Sequence, residues 1–153
     1  MKRADKEISD RKLIKEIINE ASILRIAFCD GGIPYIVPLN FGFKDDAIYI
    51  HSAREGKKID LIRKNNNVCF ELDIKTELVK GETPCRSTMR YMSVIGFGKA
   101  CFLERRAEKR KTLKVIVEKY LKSSSFEYDD PALDKMAIIK IDIERISGKK
   151  SGY

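Results

Sequence analysis

Tryptophan is absent from this sequence, and histidine occurs once, at His51. A zinc-protease helix needs two histidines on one face, so it is excluded, and any hydrolase triad would have to take His51 as its base. No GxSxG elbow accompanies that histidine, and the GxxxxGKS/T phosphate loop of ordinary nucleoside triphosphatases is also missing. The four cysteines, Cys29, Cys69, Cys85 and Cys101, stand far apart with no CxxC pair. Neither a zinc knuckle nor a redox pair can be read from that spacing. Cys29, Cys69 and Cys101 lie in apolar strand-like runs and read as small buried hydrophobes, whereas Cys85, between Pro84 and Arg86, reads as a loop thiol. No run approaches the roughly 18 to 20 apolar residues of a membrane span. The first twenty residues are charged throughout, unlike a signal peptide, so the expectation is a cytoplasmic protein with no membrane partner.

Charge is what the chain has in excess. Lys and Arg number 31 against 23 Asp and Glu, a formal +8, which favours an anionic partner without choosing among phosphates, nucleic acid and acidic surfaces. At 153 residues, with no repeat and no linker, residues 1–153 read as one domain.

Asp10 is placed to cap a helix whose apolar residues Leu13, Ile14, Ile17, Ile18 and Ala21 recur at helical spacing. From Ile23 the pattern becomes strand-like: 23–29, then Gly31-Gly32, 33–43, then Asp45-Asp46, and 47–51, which predicts a three-stranded antiparallel meander. A short helix over 55–64 closes at Asn65-Asn66-Asn67, and strands follow over 68–74 and 91–103. A second long helix is predicted over 105–121, with Leu113, Ile116, Val117, Tyr120 and Leu121 as its buried stripe and Ser123-Ser124-Ser125 as its break. Residues 136–146 alternate as a half-buried strand. About six strands with flanking helices point to a mainly β, α+β fold, a closed or partly closed antiparallel barrel, because closure removes unpaired edges.

The densest candidate site runs from His51 through Ser52 to Gly56, Lys57 and Lys58, where a strand ends and a helix begins. Free helix N–H groups, the helix dipole, a glycine and two lysines make a cradle that a phosphate monoester would fit, although such a turn can equally be a solvated one. Pro38 interrupts the strand over 33–43 and cannot donate to a ladder, so that strand is an edge or carries a bulge. With Leu39, Asn40 and Phe41 beside it, the rim offers a flat heteroaromatic ring both packing and hydrogen bonds; the alternative is a bulge that only shapes the barrel. The basic run Arg105, Arg106, Lys109, Arg110, Lys111 and Lys114 lies opposite the apolar stripe with no stacking aromatics. It reads as a solvated helix face, and nucleic-acid binding is the disfavoured alternative.

The blocks Tyr35–Gly42, Ile48–Ala53, Gly56-Lys57-Lys58, Asn67–Glu71 and Tyr91–Ala100 resemble, over roughly residues 3 to 104, the flavin-nucleotide-binding split barrels related to pyridoxamine 5'-phosphate oxidase. The nearest branch is the nitroimidazole-resistance, or nitroimidazole reductase, group. The resemblance implies an antiparallel split barrel and a homodimer with FMN in grooves at the subunit interface. It implies that Ile36, Val37, Pro38, Leu39 and Asn40 lie along the isoalloxazine ring. His51 and Ser52 would line the ribityl chain and phosphate, Lys57 and Lys58 would hold the phosphate, and Tyr91, Ser93 and Val94 would come from the interface side. His51 is the candidate catalytic residue, with contact to FMN or substrate ahead of proton transfer. The implied activity is NAD(P)H-linked reduction of a small aromatic or nitro compound; haem or a deazaflavin is the alternative occupant. Vitamin-B6 oxidation is disfavoured, since the sequence ends Ser147–Tyr153 without the aromatic and arginine segment that grips that substrate.

Overall fold

In the computed structural model, which describes residues 4–121 and 127–153, eight strands form one antiparallel sheet. They are β1 (Glu7–Ile8), β2 (Leu24–Asp30), β3 (Ile33–Leu39), β4 (Gly42–Lys44), β5 (Ala47–Ala53), β6 (Asn67–Val79), β7 (Thr88–Leu103) and β8 (Met136–Ser151). Four helices flank them: α1 (Arg11–Glu20), α2 (Lys57–Lys64), α3 (Arg106–Leu121) and α4 (Asp130–Asp134). The predicted serine break at Ser123-Ser124-Ser125 lies outside the described residues.

The strand order is β3-β2-β6-β7-β8-β5-β4, with β1 beside β8. Laid flat, such a sheet would hold its end strands about 29 Å apart. Yet β3 and β4 are consecutive in the chain, joined only by Asn40 and Phe41, and Leu39 to Gly42 can span at most about 11 Å. The sheet therefore curls until its two ends meet, and because β3 and β4 do not pair, the result is a split barrel with an open seam. The predicted meander is corrected here: β3 pairs only with β2, and β4 only with β5.

Proline decides that correction. Pairing of β3 with β2 is unbroken from Leu24↔Leu39 to Asp30↔Ile33, so Pro38 marks an edge strand and not a bulge. Pro34 and Pro38 share a parity with Ile36 and cannot donate to β2, so the ladder uses the odd-numbered residues and the polar groups of Ile36 face the open rim. The predicted turns are present, with positive φ at both Gly31 and Gly32, and at both Asp45 and Asp46.

Inside the barrel, Ile26, Ile48, Ile50, Phe70, Leu72, Ile139 and Ile141 are buried, and α1 inserts Ile14, Ile17 and Ile18 among them. A smaller cluster of Leu113, Leu133 and Ile138 seats α3 and α4 on the outside of β8. Three expectations fail for one reason, that pattern reading misassigns the wet face. Cys29 and Cys101 are exposed and Cys69 is half-buried, all as free thiols, because each alternates with a buried neighbour along its strand. Leu121 is exposed. Conversely Lys109, expected in water, is 3% exposed and donates from Nζ to the Leu133 and Met136 carbonyls, each at 3.1 Å, a cation at the C-terminus of α4. Lys109→Met should lower stability by about 1 to 3 kcal/mol, since one buried and one partly buried carbonyl lose their donor; urea denaturation reads this directly.

Candidate functional site

Strand β5 runs into a turn at 54–56 and then into α2. Gly56 caps that helix at φ +116, a conformation only glycine adopts freely, and a Cβ built there would meet nothing within 4 Å. No side chain caps the helix; the Ile59 N–H donates to the Gly56 carbonyl at 2.9 Å, which leaves the Lys57 and Lys58 N–H groups as the ones without a backbone partner among the described residues. Lys57 and Lys58 form no ion pair among the described residues, whereas Lys64, at the other end of α2, is paired with Asp30 at 3.1 Å. Lys57 is exposed and sits 4.5 Å over the Tyr35 ring, which ties the start of α2 to β3. Lys58 is half-buried, and burial lowers its pKa. An open helix N-terminus with two unneutralised lysines is chemically suited to a phosphate.

His51 faces outward opposite Ile138. Surrounding chain strips water from its ring and Lys58 repels a second positive charge, so its pKa falls below the ordinary 6.5. The unfolded chain then holds this proton more tightly than the folded one. His51's contribution to stability is complete above about pH 6.5 and is lost as pH falls from there through the lower folded value. Because His51 is the sole histidine, its NMR titration is unambiguous: a midpoint below 6.5 is expected in the free protein, moving upward when a phosphate occupies the cradle. A midpoint at or above 6.5 without ligand would contradict the placement of Lys58. Ser52 is half-buried on the other face of β5, opposite Ala137.

Along the seam, Ile36 and Pro38 are exposed and face outward, while Val37 and Leu39 are half-buried against the core. Asn40 is exposed, and its side chain makes no hydrogen bond among the described residues. Tyr91 and Ser93 lie on β7, half-buried, with Lys149 5.8 Å from the Tyr91 ring. Val94 is fully buried in the core, and its strand pairs with β6 on one side and β8 on the other, so neither its side chain nor its ladder groups are open to a ligand in one chain. Strands β2 and β6 separate β7 from β3, a distance of about 14 Å. Within one chain, β5 carries His51 and Ser52 into the start of α2, the Lys57 contact with Tyr35 joins α2 to β3, and the β7 residues lie apart. Sequence reasoning missed Tyr35, whose packing on Lys57 follows from strand alternation only once the barrel is known.

The basic run on α3 is largely neutralised. Arg106 pairs with Asp130 and Asp134, Arg110 with Asp130, Arg105 with Glu108 and Lys114 with Glu118. Little of its charge is left for a nucleic-acid backbone. Among the described residues no cluster of His, Cys, Asp and Glu could hold a metal, and no helix is long and apolar enough to cross a membrane.

Comparison with known proteins agrees with this architecture. A structure of a candidate 5-nitroimidazole antibiotic resistance protein from Bacteroides thetaiotaomicron VPI-5482 is 36% identical, covers 94% of this chain and 86% of its own, and superposes with a TM-score of 0.85. The FAD and haem binding protein from Mycobacterium smegmatis shares the fold at 17% identity, with a TM-score of 0.87 over 97% of this chain and 74% of that one. A flavocytochrome from Azotobacter vinelandii does so at 17% identity and a TM-score of 0.84, over 96% of this chain and 70% of that one. No curated protein matches. Residues 10–150 match the family described as pyridoxamine 5'-phosphate oxidase. The curled sheet, the proline rim and that match over most of the chain agree: this protein belongs to the pyridoxamine 5'-phosphate oxidase family.

Proposed function

We propose that this chain is a cytoplasmic, FMN-dependent oxidoreductase that works as a homodimer, taking electrons from NAD(P)H and reducing a small aromatic or nitro compound. The observation that carries the reading is the contact of Lys57 with Tyr35, which sets an anion cradle against the proline-edged strand β3, as one phosphorylated flat ring would require. In this reading the α2 N-terminus, Lys57 and Lys58 hold the phosphate, Ser52 and His51 line the ribityl chain, and the Ile36 polar groups with Asn40 meet the ring edge. His51, kept neutral by its lowered pKa, presents one donor and one acceptor nitrogen to flavin or substrate. FMN, when bound, supplies hydride and electron transfer at its N5 edge.

Tyr91 and Ser93 would complete the groove from a second copy, since within one chain they lie too far away. A second feature supports that copy. Ile36, Ala27, Cys69 and Phe97 stand opposite one another on four successive strands, and Ile36 at 60% and Phe97 at 42% exposure leave this row wet in one chain. An apolar row of that kind favours burial against a partner. The relatives named FAD and haem binding support a redox group here while leaving open which one, and the nitroimidazole-resistance relative supports the acceptor class.

The test is the visible spectrum of the purified protein, followed by anaerobic addition of NADH or NADPH. Flavin absorbance that bleaches on addition, from a species of dimeric mass, is expected. A haem or deazaflavin spectrum would replace FMN, and a colourless monomer indifferent to added FMN would sink the reading.

A further inference from the structure

The barrel seam is crossed by Asn40 and Phe41 alone, and three separate contacts from α3 converge on that link. Gly42, just beyond it, is packed so closely that an added Cβ would stand 2.9 Å from Val115 Cγ1 and 3.1 Å from the Ile116 nitrogen. Lys119 places its ammonium 4.4 Å over the buried Phe41 ring while donating to the Ile18 and Asn19 carbonyls at the end of α1. Tyr120 is the most direct. The Phe41 N–H donates to its hydroxyl at 3.1 Å, and that hydroxyl donates to the Ser22 carbonyl at 2.9 Å.

We propose that Tyr120 is a positioning residue for the flavin site: its hydroxyl, reaching the seam from the last turn of α3, fixes the Asn40–Phe41 link so that the Asn40 amide meets the ring edge. This rests on the flavin reading above and extends it to a residue that touches no part of the ligand. Without the hydroxyl, the Phe41 N–H loses its acceptor and the Ser22 carbonyl its donor at once, and the link keeps only the packing at Gly42 and the Lys119 cation over the Phe41 ring. Misplacement of a group that orients a ligand costs affinity even when the fold survives.

Flavin titration of wild type, Tyr120→Phe and Leu113→Ala separates positioning from general loosening of α3, because Leu113 packs in the outer cluster with Leu133 and Ile138. Tyr120→Phe should bind FMN about five- to tenfold more weakly and shift the visible band of the bound flavin. Leu113→Ala should lose more thermal stability while keeping its affinity within about twofold and its spectrum unchanged. Unaltered affinity and spectrum in Tyr120→Phe, or an equal loss in Leu113→Ala, would overturn the assignment while leaving the flavin site standing. A wild-type protein that binds no flavin would remove the site itself, and the positioning role with it.

Discussion

Gly98→Ala is expected to leave little folded protein. A Cβ at Gly98 would lie 2.2 Å from the carbonyl oxygen of Asp142 and 3.0 Å from its carbonyl carbon. The obstacle is backbone, and it belongs to β8 in the long β7–β8 pairing at the middle of the sheet order. The register slips between Phe97 and Gly98, and the bulge that results draws the two chains together where only glycine fits. Relief requires β8 to move away, breaking the pairing that the rest of the barrel hangs on. Overpacking against side chains costs about 1 to 3 kcal/mol, so against fixed backbone a loss of about 3 kcal/mol or more is expected, a large part of an ordinary domain's 5 to 15. Gly32→Ala is the control. Its Cβ would meet nothing within 4 Å, and only the strain of φ +86 remains, about 1 to 2 kcal/mol. Urea midpoints of the two variants should rank in that order; a Gly98→Ala protein within about 1 kcal/mol of wild type would mean that β8 slides freely.

That bulge was not legible in the sequence, and the reasons for what was and was not are specific. Tight turns announce themselves through residues that tolerate positive φ, so Gly31-Gly32 and Asp45-Asp46 marked both hairpins. Pro38 marked an edge or a bulge because a missing donor is a property of one residue, and the unbroken pairing of β3 with β2 decides for the edge. Residues 147–151 of β8 carried no signal: Ser147, Gly148, Lys149 and Lys150 have little strand propensity, and they are strand because β7 residues 91–95 pair with them. Neither β1, two residues long, nor α4, five residues long, is long enough to show a period. At the candidate site, the cradle was visible because its residues are consecutive, and the rim because proline stands out. Tyr120 could not be found, since its partners Ser22 and Phe41 are 98 and 79 residues away and a tyrosine on an apolar stripe reads only as core. Lys109 was misplaced for the matching reason: a lysine within a basic helix reads as solvated until α4 supplies two carbonyls.

Lys57→Ala is expected to weaken FMN binding by about 1.5 to 3 kcal/mol, roughly 10- to 150-fold in dissociation constant, the worth of one charge-assisted contact to phosphate. Fold stability should change little. Lys57 is exposed and its one interaction among the described residues is with the Tyr35 ring, worth about 0.5 to 1 kcal/mol at a solvent-facing position. Lys58, half-buried and one residue along, is the group able to compensate, so the upper end of the range is expected in Lys57→Ala with Lys58→Ala. Lys64→Ala is the matched control, because it removes the same charge from the other end of α2, where Asp30 already neutralises it; its affinity should stay within about twofold. Raising salt should weaken wild-type binding more than that of the double variant, since screening acts on the charges removed. Quenching of flavin fluorescence on titration gives each constant, and unchanged affinity in Lys57→Ala together with the double variant would take both lysines out of the site and the phosphate cradle with them.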